Sequence, residues 1–177
     1  MTTIHILGCH HALQSVEICK RWTDWHELYE MVGKDVDKLA REQKDHFVAR
    51  IRQIVHDRVV TVIGEESDEG VATSASLVVQ NWHMIDMPSA VRVDRGIPDD
   101  YADPDAGYTQ KERADWNLQR EHYMFDEFLQ HGGNANSALI ICGSEHINGL
   151  TRKFADAGHT VTSEDVTAAG WFDPPPG

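Results

Sequence analysis

Short apolar runs alternate along this chain with longer stretches whose apolar residues recur every three or four positions. Ile4-His5-Ile6-Leu7, Val59-Val60-Thr61-Val62-Ile63 and Ala138-Leu139-Ile140-Ile141-Cys142 are runs of the first kind. Aliphatic side chains at successive positions predict strands covered on both faces. His83-Met84-Ile85-Asp86 reads as another strand, and residues 159–162 as the last. Of the second kind, Val36, Leu39, Ala40, Phe47, Ile51, Ile54 and Val55 predict an amphipathic helix from Asp35 to about His56. Ala114, Leu118, Phe125, Phe128 and Leu129 stripe a second one over residues 108–130. Glu121 lies inside that stripe, where a carboxylate needs an arginine or backbone partner. Arg120 lies on a neighbouring face with Trp116 and Tyr123. An irregular helix is predicted over residues 12–31, a short one over 73–82 and another from Ile147. Strands alternating with helices predict an α/β fold, a single domain over 1–172 with a mostly parallel central sheet flanked by helices. The Pro-rich tail 173–177 is predicted to be disordered.

Composition narrows the partners more than the fold. With 177 residues, 41% of them hydrophobic and 25% charged, the chain can build a core without staples. No apolar run is long enough to cross a bilayer, and no basic-then-apolar leader precedes the first strand. Three cysteines, Cys9, Cys19 and Cys142, do not suggest a disulfide framework, so a cytoplasmic protein is expected. The formal charge of −13, with no basic cluster, argues against nucleic acid and anionic membranes. A small-molecule or peptide substrate, or a metal cation, is the expected partner.

Candidate chemistry gathers where the strands end. Ile4–Leu7 runs into Gly8-Cys9-His10-His11, and the strand at 138–142 runs into Gly143-Ser144-Glu145-His146. Each is a strand, a glycine that lets the chain turn, and a histidine three residues on. Such a histidine belongs at the C-terminal mouth of a strand, beside a helix N-terminus, where open α/β sheets bind ligands. His146 is expected there partly open to solvent. Gly64-Glu65-Glu66 ends a third strand and Asp86 a fourth. Side chains alternate along a strand, so one of Glu65 and Glu66 is expected to face a shared site.

Two imidazoles with one or two carboxylates (His11, His146, Glu65, Glu66, Asp86) form the ligand set of a hydrolytic divalent-metal site. The same groups suit a metal-free hydrolase, with one histidine activating water and a carboxylate orienting it. The bland alternative is polar residues that cap strand ends. Cys9 and Cys142 read as small buried residues rather than thiolate ligands, and His46 and His56 as surface residues on their helix. The acidic stretch 93–110 reads as a solvated loop, with a lid over the site as the sharper alternative.

These motifs resemble the TraB/Tiki/ChaN/erythromycin-esterase superfamily, whose members open with a strand and Gly-x-x-His and close with Gly-x-x-His-hydrophobic-x-Gly. The closing motif here is Gly143-Ser144-Glu145-His146-Ile147-Asn148-Gly149. Glu65 and Glu66 are similar to the family's acidic pair, and Arg120 in Gln119-Arg120-Glu121 to the arginine of its penultimate helix. The likeness rests on short motifs spread over most of the chain. It implies hydrolysis of an ester or amide, with Arg120 as a substrate or oxyanion clamp, or else haem or iron binding without turnover. An interaction module on the same fold is the third alternative.

Overall fold

The computed structural model describes residues 1–14, 33, 35–67, 73–99, 101 and 106–172. Five strands, β1 (Thr3–Cys9), β2 (Val62–Glu65), β3 (Trp82–Met84), β4 (Ser137–Gly143) and β5 (Thr160–Asp165), form one sheet. Its order is β3-β2-β4-β1-β5, and every pairing is parallel. Among the described residues the α-helices are α1 (Val36–Asp57), α2 (Ser89–Asp94), α3 (Gln110–Gly132) and α4 (Ile147–Asp156). An α/β fold with a parallel sheet and flanking helices is what the alternating pattern predicts.

Strand alternation sorts the core into two layers. Leu7, Cys9, Ile63, Leu139 and Ile141 point to one face, under Val36, Ala40, Phe47, Ile51 and Ile54 of α1. Ile4, Ile6, Val62, Ala138, Ile140 and Cys142 point to the other, under Met124 and Phe128 of α3 and Leu150 and Phe154 of α4. The two long helices start where their caps dictate. Asp35 accepts from the Lys38 N–H at α1. Thr109 and Glu112 form a reciprocal capping box at α3.

The layering decides where a site can form. The chain leaves β1 for α1 on one face, and leaves the neighbouring β4 for α4 on the other. The sheet therefore has a topological switch point between its central strands, open at their carboxyl ends. Register keeps those ends level: Cys9 lies opposite Gly143, and Glu65 opposite Ile141.

Several expectations need correction. Residues 74–78 form a turn rather than a helix, and β3 begins at Trp82 rather than His83. Strand β2 begins at Val62 rather than Val59, because Val59 is spent on leaving α1. It sits at φ 51°, 74% exposed, and the Val60 N–H bonds back to the Val55 carbonyl. Of the acidic stretch, Val93 and Asp94 belong to α2, whereas Ile97 and Tyr101 are buried with Met87. The predicted helix over 12–31 opens in the 3-10 turn His11–Leu13, and its remainder from residue 15, like the tail 173–177, lies outside the described residues. Among the described residues, no helix is long and apolar enough to cross a membrane.

Candidate active site

One carboxylate organises the strand ends. Glu66 comes directly after β2, and its N–H still bonds to the Ile141 carbonyl of β4 at 2.8 Å. Its side chain turns over the end of β4, where Oε2 accepts the Gly143 N–H at 2.7 Å. Oε1 accepts from Arg120 Nη2 at 2.5 Å and has His146 Nε2 at 3.5 Å and His11 Nε2 at 3.6 Å. Both β-Gly-x-x-His units thus deliver their imidazoles to a single oxygen atom.

Around that atom the polar groups are paired. Arg120, on α3, also donates to Asp86 Oδ1 from Nη2 at 2.7 Å and Nε at 3.3 Å, and from Nη1 to the Tyr101 hydroxyl. Asp86 Oδ1 takes the Met87 N–H as well, at 2.7 Å. Glu121, next to Arg120, is buried and faces His146 Nδ1 at 3.4 Å. Its partner is thus a histidine, where the helix stripe implied an arginine or backbone. His146 itself is fully buried, not partly open as its strand-mouth position implied. The reason is α4, which folds directly over the end of β4 and closes it. His11, in the 3-10 turn His11–Leu13, keeps 32% of its side chain exposed.

Burial and charge compete at every group. Burial works to raise the Glu66 carboxyl, but His146, His11 and Arg120 outweigh it and hold the pKa down to about 2. Burial opposes charge on His146, yet Glu66 and then Glu121 keep its pKa above the ordinary imidazole value. Arg120 is held charged by Glu66 and Asp86 against the same desolvation. For Asp86 the balance tips the other way: burial and Glu66 raise it further than Arg120 lowers it. Burial also raises the Tyr101 phenol, which keeps its proton at neutral pH.

Glu65 faces a separate set of groups. It accepts from Thr73 Oγ1 and Trp82 Nε1, each at 2.6 Å, and from Gln14 Nε2 at 3.2 Å. Burial pushes its pKa up to about 7 against those three donors and, more weakly, the charge of His11. Gln14 links it to the histidine. Its Nε2 lies 2.6 Å from the Glu66 carbonyl oxygen, which only accepts, so the amide orientation is fixed. Oε1 then faces His11 Nδ1 at 2.7 Å and accepts from it. Nδ1 carries a proton, and Nε2 is the nitrogen that faces Glu66.

The glycines of the two motifs make room rather than turns. Gly143 has φ −57° and ψ 144°, open to any residue. A Cβ on Gly8 would lie 2.1 Å from Ile147 Cδ1, so Gly8 lets the first residue of α4 cross β1. A Cβ on Gly149 would lie 1.9 Å from Glu121 Oε2, so Gly149 gives the His146 partner its space.

His11, His146, Glu66, Asp86 and Arg120 are thus brought together, and Glu65 reaches them through Gln14. Sequence reasoning missed Gln14 and Tyr101. Gln14 stands three residues past His11, a helical-turn spacing that could have flagged it, but nothing local marks Tyr101. Among the described residues, no three His, Cys, Asp or Glu side chains are arranged to hold a metal ion. The cation at the centre is the Arg120 guanidinium, which occupies the carboxylate oxygens that a metal would need. Cys9 and Cys142 are free and buried, and burial raises both thiols well above the ordinary value, away from thiolate chemistry. Comparison with protein-family models, curated proteins and solved structures found no match.

Proposed function

We propose that this site belongs to a metal-free hydrolase acting on a small ester or amide, with His11 as the general base. The observation that carries the reading is the state of His11. It is the partly exposed imidazole of the cluster, its Nδ1 is held protonated by Gln14, and its Nε2 is 3.6 Å from Glu66. A water at that edge gives its proton to Nε2 as its oxygen attacks the acyl carbon, and Glu66 stabilises the imidazolium that forms. The Tyr101 hydroxyl, polarised by Arg120, donates to the carbonyl oxygen as it gains negative charge. His11 then returns the proton to the departing alkoxide or amine. Arg120 acts through its neighbours in this scheme, since its donors are already spent on Glu66, Asp86 and Tyr101; this replaces the role of direct clamp. The likeness to the erythromycin-esterase superfamily favours the same chemistry, and the free thiols Cys9 and Cys142 favour a cytoplasmic setting.

The test is a panel of activated esters and peptide amides, assayed with and without a chelator. His11→Ala is expected to lower turnover by about 10²–10⁴-fold with an unchanged thermal melt. Activity that disappears with chelator and returns with a divalent ion would replace this mechanism by a metal-assisted one. Full activity in the His11→Ala variant would end the proposal.

A further inference from the structure

Beside the cluster lies a cavity of about 230 Å³ whose walls include Ser67, Asp86, Arg92, Met84, Met87 and Pro88. At the ~30 Å³ that a water occupies in the liquid, its volume equals that of about eight waters. It is joined to the proposed catalytic groups through two residues. Ser67 is the residue next to Glu66, and Asp86 forms a shared wall: Oδ1 faces Arg120, and Oδ2 faces Arg92 Nη1 at 3.5 Å.

Two polar atoms here are buried and have no hydrogen-bond partner among the described residues: Ser67 Oγ and Arg92 Nε. Ser67 is 9% exposed. Both atoms can donate, and an unmet buried donor is costly. The Arg92 charge is also poorly matched. Arg92 Nη2 donates to the neutral Ser89 Oγ at 2.8 Å, Asp86 is held more closely by Arg120, at 2.7 Å, and Asp99 Oδ1 stands 3.8 Å from Nε and is 70% exposed. Two orphan donors, an under-compensated guanidinium and an apolar wall of methionine and proline call for one kind of guest. That guest is a small molecule with a carboxylate at one end and a short carbon body. In a protein of charge −13, which repels anions at long range, such a pocket would select by contact rather than by steering.

We infer that this cavity is a subsite for a small carboxylate, seated by Arg92 and Ser67 beside the Glu66–Arg120 cluster. Resting on the hydrolase reading, this names its substrate class: an ester or amide whose acyl part carries a second, uncleaved carboxylate. Asp86 then couples the two sites, because it touches both guanidiniums.

Binding and turnover test this separately. Succinate and its uncharged diamide are titrated into wild type, Arg92→Met, Ser67→Ala and His11→Ala, with a thermal melt of each preparation. Succinate is expected to bind wild type and His11→Ala alike. The affinity should fall about ten- to a hundredfold in Arg92→Met and less in Ser67→Ala, with the diamide weaker than succinate by a similar factor. No succinate binding to wild type, equal binding of the diamide, or undiminished affinity in the folded Arg92 and Ser67 variants would overturn the subsite. In the hydrolysis panel, hemisuccinate esters should be preferred over their methyl-capped forms. A reversed preference would overturn the subsite and leave the hydrolase standing. Carboxylate binding that depends on Arg92, with no hydrolysis of any ester or amide, would keep the subsite as a binding site and remove the hydrolase.

Discussion

The ends of β1 and β4 carry the same local sequence pattern and finish in opposite states. Each is a strand, a glycine and a histidine three residues later, and each histidine lies about 3.5 Å from Glu66 Oε1. His146 is fully buried between two carboxylates, whereas His11 is a third exposed and tethered by one amide. The difference arises in the chain just beyond each histidine. After His146 the backbone enters α4 at once and packs on the sheet; after His11 it makes a single 3-10 turn. One motif therefore yields a fully buried imidazole at one end and a partly exposed one at the other. Charge separates them too, since His146 faces Glu121 as well as Glu66, and His11 faces a neutral glutamine.

Removing the shared partner is the severest way to break this comparison. Glu66→Gln leaves Arg120 and His146 buried with reduced compensation and is expected to cost about 3–5 kcal/mol in chemical denaturation. A cost near zero would mean that the cluster does not depend on its hub. The next test sets the histidines against each other. His146→Ala should destabilise by about 1–3 kcal/mol, leaving Glu66 and Glu121 short of a partner. His11→Ala should stay within about 1 kcal/mol. Equal losses would show that the difference in burial has no energetic meaning.

Smaller changes sharpen the contrast. Gly149→Ala puts a methyl group where the Glu121 carboxylate lies, so Glu121 must withdraw from His146. About 1 kcal/mol should be lost, and the His146 NMR titration should move to lower pH. The smallest effect is the pH dependence of wild-type stability. His146 is raised from 6.5 in the fold, so its contribution is complete below pH 6.5 and is lost as pH rises through the folded value. Glu65, raised from 4.5 to about 7, also favours the fold at low pH and loses that advantage between those values. Glu66, lowered from 4.5, contributes above 4.5 and is lost as pH falls toward 2. Stability should therefore peak near pH 4.5, fall up to about pH 7 as Glu65 ionises, and fall further above 6.5 through His146, with the part of the decline above pH 7 flattened in His146→Ala and retained in His11→Ala.

Much of this site is legible in the sequence because strand ends are marked by local signals. Short runs rich in aliphatic residues locate β1 and β4, and a parallel α/β pattern sends their carboxyl ends to one rim. That logic brings His11, His146, Glu66 and Asp86 together. It fails where tertiary packing decides. The burial of His146 depends on α4 crossing Gly8, a contact between residues far apart in the chain. Tyr101 meets Arg120 from a segment with no periodicity. The start of β2 is displaced because Val59, a strand former by composition, is used to close α1. The choice between Glu65 and Glu66 depends on which donors lie nearby: Thr73, Trp82 and Gln14 for one, Arg120 and Gly143 for the other.

The position of β4 between β2 and β1 also governs how the protein is made. Until Ser137–Gly143 arrives, β1 has no ladder with β2, and its other neighbour, β5, is later still. Glu66 waits for a hydrogen-bond partner 77 residues further along the chain. A ribosome therefore extrudes β1 well before β4 and leaves its apolar faces unpaired meanwhile. Such long-range parallel pairing closes slowly and exposes sticky edges in the interval. Pulse proteolysis of stalled nascent chains should find β1 susceptible until β4 clears the exit tunnel, and protected soon afterwards.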